Sequence, residues 1–150
     1  LVGSEMCIRD SRRLAQSALS KISPYFENVP ADWTAGVPLP GGDFPVDGVE
    51  MLIANLKQAN PFLDDRWAKR LVRAYGTEAQ EVIANAKSAS DLGEDFGATL
   101  TEAEVIWLMK HEFARRAEDI VWRRNKLGLV MTNDQVAHLD SWMIARSNAA

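Results

Sequence analysis
From residue 47 onward, cap residues, helical apolar spacing and glycine or proline stops follow one another in repeated order. No segment there alternates polar and apolar residues as a half-buried strand would. Thr77 with Gln80, Thr101 with Glu104 and Thr132 with Gln135 match the capping box, in which a hydroxyl and an acid or amide three residues later satisfy two orphan amides. Asp47 with Glu50 is an acidic analogue, and Asp64 and Asp65 bring negative charge to a helix start, where the dipole favours it. Pro61, Gly76 and Gly128 stand where helices should stop. These signals predict helices over 47–58, 64–75, 77–87, 101–112, 117–126 and 132–146. Their apolar faces are Val49, Leu52, Ile53 and Leu56; Trp67, Leu71 and Ala74; Val105, Ile106, Met109 and Phe113; and Val136, Leu139, Met143 and Ile144. The expected fold is all-α, a compact bundle of five to six helices occupying 47–150.

Upstream the pattern changes. Residues 28–46 hold Pro30, Pro38, Pro40 and Pro45 with Gly36, Gly41 and Gly42, which forbid a helix and predict an extended connector. Before it, Leu14, Ala18, Leu19 and Ile22 form a helical stripe that Pro24 ends, within a segment 11–27. Leu1 to Asp10 carry no period and resemble translated sequencing-adaptor read-through. They are expected to be non-native, with Met6 and Ile8 making few contacts and Cys7 carrying no role.

Composition narrows the function classes. Seventeen basic against 21 acidic side chains, a net charge of −4, argue against a general nucleic-acid binder. A single cysteine excludes an internal disulfide framework and a cysteine zinc cage. No apolar run approaches the ~20 residues that cross a bilayer, and nothing resembles a secretory signal, so a cytoplasmic location is expected.

Catalytic signals are sparse, with no glycine-rich phosphate cradle, nucleophile elbow or zinc-binding helix pair. His111 and Glu112 are adjacent and do not share a helix face, which favours structural roles. The run Asp91-Leu-Gly-Glu-Asp-Phe-Gly97 lacks the ligand alternation of a calcium loop and reads as a glycine-turned connector. The most distinctive segment is Ala117-Glu-Asp-Ile-Val-Trp-Arg-Arg-Asn-Lys-Leu-Gly128. Asp119 and Arg123 lie four apart, the spacing of a supporting ion pair, and Arg123, Arg124 and Lys126 oppose the negative end of the helix. Asp119, Arg123 and Arg124 are therefore candidates for a structural or docking role, with Arg123 held inside the domain and Arg124 free to reach another surface. An arginine-rich helix in a free-standing module that binds an acidic partner is the alternative.

With these segments in hand, the chain resembles the C-terminal part of the FAD-dependent glycerol-3-phosphate dehydrogenases. Arg12-Arg-Leu-Ala15, Pro38-Leu-Pro-Gly-Gly-Asp43, Asp91 to Gly97, and Glu102-Ala-Glu104 continuing to Trp122-Arg-Arg124 occur in the family's order. Asn60-Pro-Phe-Leu63 and Arg73-Ala-Tyr-Gly-Thr77 match between them. The resemblance covers residues 11–146. It implies oxidation of sn-glycerol 3-phosphate to dihydroxyacetone phosphate, with FAD taking the hydride and quinone, or oxygen in related oxidases, accepting electrons. It implies partners as well: an N-terminal FAD-binding domain to which helix 11–27 belongs, a second copy of the full enzyme, and the cytoplasmic membrane surface, where the enzyme sits peripherally. The family's Gly-x-Gly-x-x-Gly element does not occur in this sequence. Of its Gly-Lys-x-Thr-Thr-Tyr-Arg segment only Arg12 corresponds, so no catalytic, flavin-binding or metal residue is assigned. The chain by itself is expected to bind no cofactor and to be inactive. Relatives often carry a threonine cap where Arg116 stands, which predicts a break near 113–116 although the apolar spacing would allow one continuous helix.

Overall fold
The computed structural model describes residues 2–31 and 33–148, with side chains from 11 to 147 apart from residue 32. Among the described residues there are six α-helices and no strand: α1 (Val2–Ile22), α2 (Val49–Ala59), α3 (Asp65–Tyr75), α4 (Ala79–Ile83), α5 (Glu102–His111) and α6 (Asn133–Asn148). A π-helical turn, Asp119–Arg124, stands between α5 and α6. The chain divides into two units, 1–38 and 39–150.

In the first unit α1 stops at Ile22 and Pro24 enters a 3-10 turn, as a ring lacking an N–H dictates. The helix runs upstream to Val2, further than its apolar pattern does. Met6, Cys7 and Ile8, whose few contacts the sequence predicts, lie outside the described side chains. Leu14 and Leu19 of the apolar stripe stand exposed, and Arg12 donates to Gln16 and Thr34, each at 3.1 Å.

The second unit holds the core. Ile53 and Leu56 from α2, Leu71 and Val72 from α3, Val82 and Ile83 from α4, Val105 and Leu108 from α5, Ile120 and Val121, and Leu139 and Met143 from α6 are all buried together. Three residues of the expected apolar faces are turned outward: Ala74, Phe113 and, on α6, Ile144, which the helix places beyond the face that buries Leu139 and Met143. On α3, Ala74 is exposed and Tyr75 is buried. Phe113 is 73% exposed, because α5 has already ended and its backbone is left-handed at φ 58°. The break near 113–116 is real.

Local caps decide where helices begin. Asp64 caps α3 by accepting from the Trp67 N–H at 2.7 Å. Thr132 and Gln135 close a reciprocal capping box at 2.9 and 3.2 Å. Of the other three expected starts, two differ and one keeps its place without its side-chain cap. Gly48, not Asp47, precedes α2, and Thr77 lies in a 3-10 turn while α4 begins only at Ala79. α5 does begin directly after Thr101, but Thr101 makes no side-chain cap, and the Glu104 carboxylate goes to Arg70 and Tyr75 instead of back to the Thr101 amide. α4 is also shorter than 77–87, since Ala84 turns left-handed at φ 53° and returns its N–H to the Gln80 and Glu81 carbonyls.

Two glycines weld the connector to the helices. The Gly41 carbonyl accepts the Thr77 N–H at 3.0 Å, just past the end of α3. A Cβ on Gly76 would lie 1.9 Å from that carbonyl, and one on Gly41 would lie 2.2 Å from the Tyr75 carbonyl. Both residues also hold positive φ, 74° and 56°. Gly76→Ala should therefore destabilise the chain by about 2–3 kcal/mol through backbone strain alone. Urea denaturation measures it; an unchanged midpoint would show that the positive φ at Gly76 imposes no constraint.

Candidate docking site around the π-helical turn
The segment singled out in sequence forms a wide turn, with the Asn125 N–H reaching the Ile120 carbonyl five residues back at 3.0 Å. An α-helix over 117–126 was expected, and the π-helical turn replaces it. Asp119 accepts the Arg115 and Arg116 N–H groups, both at 3.0 Å, and so ties down the start of the turn. Those two backbone donors hold its carboxyl below the usual range. Asp140 on α6 does the same from outside. It receives both arms of the Arg116 fork, at 2.9 and 2.7 Å, and the Ala117 N–H at 3.0 Å. Its carboxyl is likewise lowered, first by Arg116 and then by the Ala117 amide. At the far end Lys126 turns left-handed at φ 60°, and its ammonium returns to the Trp122 carbonyl.

Asp119 and Arg123 form the expected pair, at 3.1 Å, but the arginine is 73% exposed. It is a surface pair, not an internal anchor. Arg124 is the more tethered of the two, donating to the Glu112 carbonyl at 2.7 Å and pairing with its carboxylate at 3.2 Å. It thereby satisfies a free carbonyl at the end of α5. The expected division, Arg123 inward and Arg124 outward, is reversed in the structure. Trp122, 44% exposed, covers Gly128, where a Cβ would meet the indole at 2.6 Å.

Beside this turn lies a buried node that no motif announced. Glu104 is 1% exposed and receives Arg70 bidentately, at 2.7 and 2.6 Å, together with the Tyr75 hydroxyl at 2.7 Å. Arg70 also donates to the Thr99 hydroxyl at 2.9 Å and carbonyl at 2.8 Å. Burial works to lower the Arg70 pKa, but Glu104 outweighs it and the net shift is upward. Burial first, then Glu104, pushes the Tyr75 phenol far up, so the hydroxyl remains a donor. The signal available in sequence was indirect: a glutamate one turn into an apolar helix needs a cation, and Arg70 stands on the polar side of α3.

The remaining candidates are engaged in local structure. Asp91 accepts the Lys87 and Ser88 N–H groups at 2.8 and 3.0 Å, Glu94 meets His138 at 2.6 Å, and Asp95 accepts the Gly97 N–H at 2.8 Å. His111 stacks on Trp107, which in turn meets the Tyr75 ring edge-on. No group of three or more potential metal ligands occurs among the described residues.

Comparison with known proteins gives this geometry a context. Residues 33–143 match the family described as the C-terminal domain of alpha-glycerophosphate oxidase. The aerobic glycerol-3-phosphate dehydrogenase of Escherichia coli (strain K12) is 39% identical over 133 residues, 89% of this chain and 26% of the relative. A glycerol-3-phosphate dehydrogenase of Pseudomonas aeruginosa is 42% identical over 88% of the chain, and D-erythritol 1-phosphate dehydrogenase of Brucella abortus is 33% identical over 87%. In each of these the chain spans 26% of the relative's length.

The reversed arginines give a direct test. Arg123→Ala should change stability by less than about 0.5 kcal/mol, as an exposed i,i+4 pair does. Arg124→Ala should cost about 1 kcal/mol, because a helix-end carbonyl loses its donor. Thermal melts of both variants decide, and a larger loss at Arg123 would contradict the assignment. A second test uses pH. Since the folded pKa of Asp140 is lowered, its contribution is complete above the unfolded carboxylate value of about 4 and fades as pH falls through the folded value. The stability gap between wild type and Asp140→Asn should thus be widest near neutrality and narrow below about pH 4. A gap independent of pH, from urea midpoints, would show that the carboxylate charge is not what matters.

Proposed function
Since this chain belongs to the family of the C-terminal domain of alpha-glycerophosphate oxidase, we propose that it is the helical docking domain of an FAD-dependent enzyme that oxidises sn-glycerol 3-phosphate to dihydroxyacetone phosphate. On that reading FAD, held by the rest of the enzyme, would supply the hydride-accepting chemistry, with quinone at the cytoplasmic membrane surface as the electron acceptor. The relatives named for glycerol 3-phosphate and erythritol 1-phosphate support a polyol phosphate as substrate, since both compounds have a phosphorylated terminal carbon beside a hydroxyl. No helix among the described residues is long and apolar enough to cross a membrane, which agrees with peripheral attachment.

The described residues do not fit FAD. A dinucleotide crevice needs strands ending at a glycine-rich turn, and the described backbone offers one isolated bridge, Asp95 with Thr101. No flavin step is therefore assigned to these side chains. The observation that carries the docking reading is where the reactive groups are spent. Glu104 holds Arg70 and Tyr75, Asp119 and Asp140 hold backbone amides, and Glu94 holds His138. These are the bonds of a rigid accessory domain. Its outward-facing features on the π-helical turn, Arg123 and Trp122, are suited to an acidic or apolar surface of the flavin-binding domain.

Two measurements test this. The purified chain, given glycerol 3-phosphate and an electron-accepting dye, should reduce none of it and should carry no bound flavin. In the full-length enzyme, the pair Trp122→Ala and Arg123→Ala should lower activity several-fold while the isolated domain melts normally. Unchanged activity of that enzyme would remove the π-helical turn from the docking surface, and dye reduction by the chain alone would overturn the accessory role.

A further inference from the structure
Helix α3 concentrates positive charge in a protein that is acidic as a whole. Arg66, Lys69, Arg70 and Arg73 recur at spacings of three and four. At 100° per residue they share about a quarter of the helix circumference, and at 1.5 Å per residue they span about 10 Å. Like charges three and four apart on a helix repel, so this arrangement opposes the helix that carries it. Arg70 is neutralised by Glu104. Arg66, Lys69 and Arg73 are exposed and have no hydrogen-bond or ion-pair partner among the described residues.

The stripe is also one wall of a cleft. Arg66, Lys69, Arg70, Arg73, Arg124 and Asn125 are among the residues lining a surface depression of about 410 Å³. Its second wall is thus the end of the π-helical turn. There Arg124 is fixed by Glu112, and the Asn125 side-chain N–H₂ is buried with no acceptor in the protein. Three unpaired cations on α3, facing a depression whose other wall is Arg124 and Asn125, make a receptor for a compact, multiply charged oxyanion.

We propose that this cleft binds a phosphate-bearing small anion. The high charge density over about 10 Å suits a phosphate or diphosphate better than a single carboxylate, because arginine and lysine together offer several convergent donors to its oxygens. Its confinement between two walls favours a small molecule over an extended acidic chain. Inorganic phosphate and a phosphate ester share this chemistry. The inference does not rest on the docking reading, since Arg123 and Trp122 play no part in it.

The chain is titrated calorimetrically with sodium diphosphate, orthophosphate and glycerol 3-phosphate, and its sedimentation with phosphatidylglycerol vesicles is measured. One saturable site for diphosphate is expected, and displacement by glycerol 3-phosphate or by orthophosphate identifies which source it prefers. Lys69→Gln combined with Arg73→Gln should weaken binding by at least about tenfold, given two charge-assisted hydrogen bonds lost. That variant should melt no lower than wild type, because it also removes repulsion along α3. Lys110→Gln, an exposed cation on α5, should leave affinity unchanged. Absence of saturable binding, equal binding by the double variant, or binding to vesicles without binding to diphosphate would each overturn the proposal.

Discussion
Burying a carboxyl group to 1% exposure is costly unless both of its oxygens are hydrogen-bonded, and the second unit is arranged around that demand at Glu104. Arg70 meets it with a two-pronged fork and Tyr75 with a hydroxyl, so α3 and α5 are held in one register. Thr99 completes the guanidinium, which fixes the left-handed backbone at Ala98 and Thr99 just before α5. From Tyr75 the constraint passes directly to Gly76, and through the Gly41 carbonyl to the connector. Such a pair contributes little net stability over an apolar core of the same volume. What it supplies is a matched set of donors and acceptors specific to this packing of α3 on α5.

That constraint is an exception in an otherwise apolar core, where Asn60, Thr101 and Glu104 are the buried polar residues among those described; the other tethers lie nearer the surface. On the proposed docking reading the domain must present a fixed surface, and fixed surfaces need supports that do not slide. Asp140 reaches from α6 to hold Arg116 and Ala117, and Arg124 reaches from the π-helical turn to close α5. Each tether crosses between elements, so the turn carrying Trp122 and Arg123 is positioned by bonds at both of its ends. The cationic stripe on α3 is anchored by the same means, since Arg70 sits inside it and is locked to Glu104.

The helical architecture was legible in sequence wherever the deciding chemistry was local. Asp64 with the Trp67 amide, Thr132 with Gln135, and the stop at Gly76 each involve groups a few residues apart. Local patterns failed where a distant partner competed. Thr101-x-x-Glu104 has the form of a capping box, yet Arg70, thirty-four residues away, claims the glutamate, so α5 starts after Thr101 without the reciprocal pair. The reversal of Arg123 and Arg124 has the same origin. Spacing alone revealed the Asp119 pair, but only the left-handed turn at Phe113 brings Glu112 within reach of Arg124. The shortening of α4 at Ala84 had no sequence signal, as alanine ordinarily continues a helix.

The central claim, that Arg70 and Glu104 act as one unit around which the domain is organised, is tested most directly by a double-mutant cycle. Urea unfolding of Arg70→Met, Glu104→Met and the doubly substituted chain gives the coupling between them. Each single change should cost about 3–5 kcal/mol by stranding a buried charge. The double change should cost less than the sum of the two, with an interaction energy of roughly 2 kcal/mol or more. Strictly additive losses would contradict the account and reduce the pair to two independent contacts.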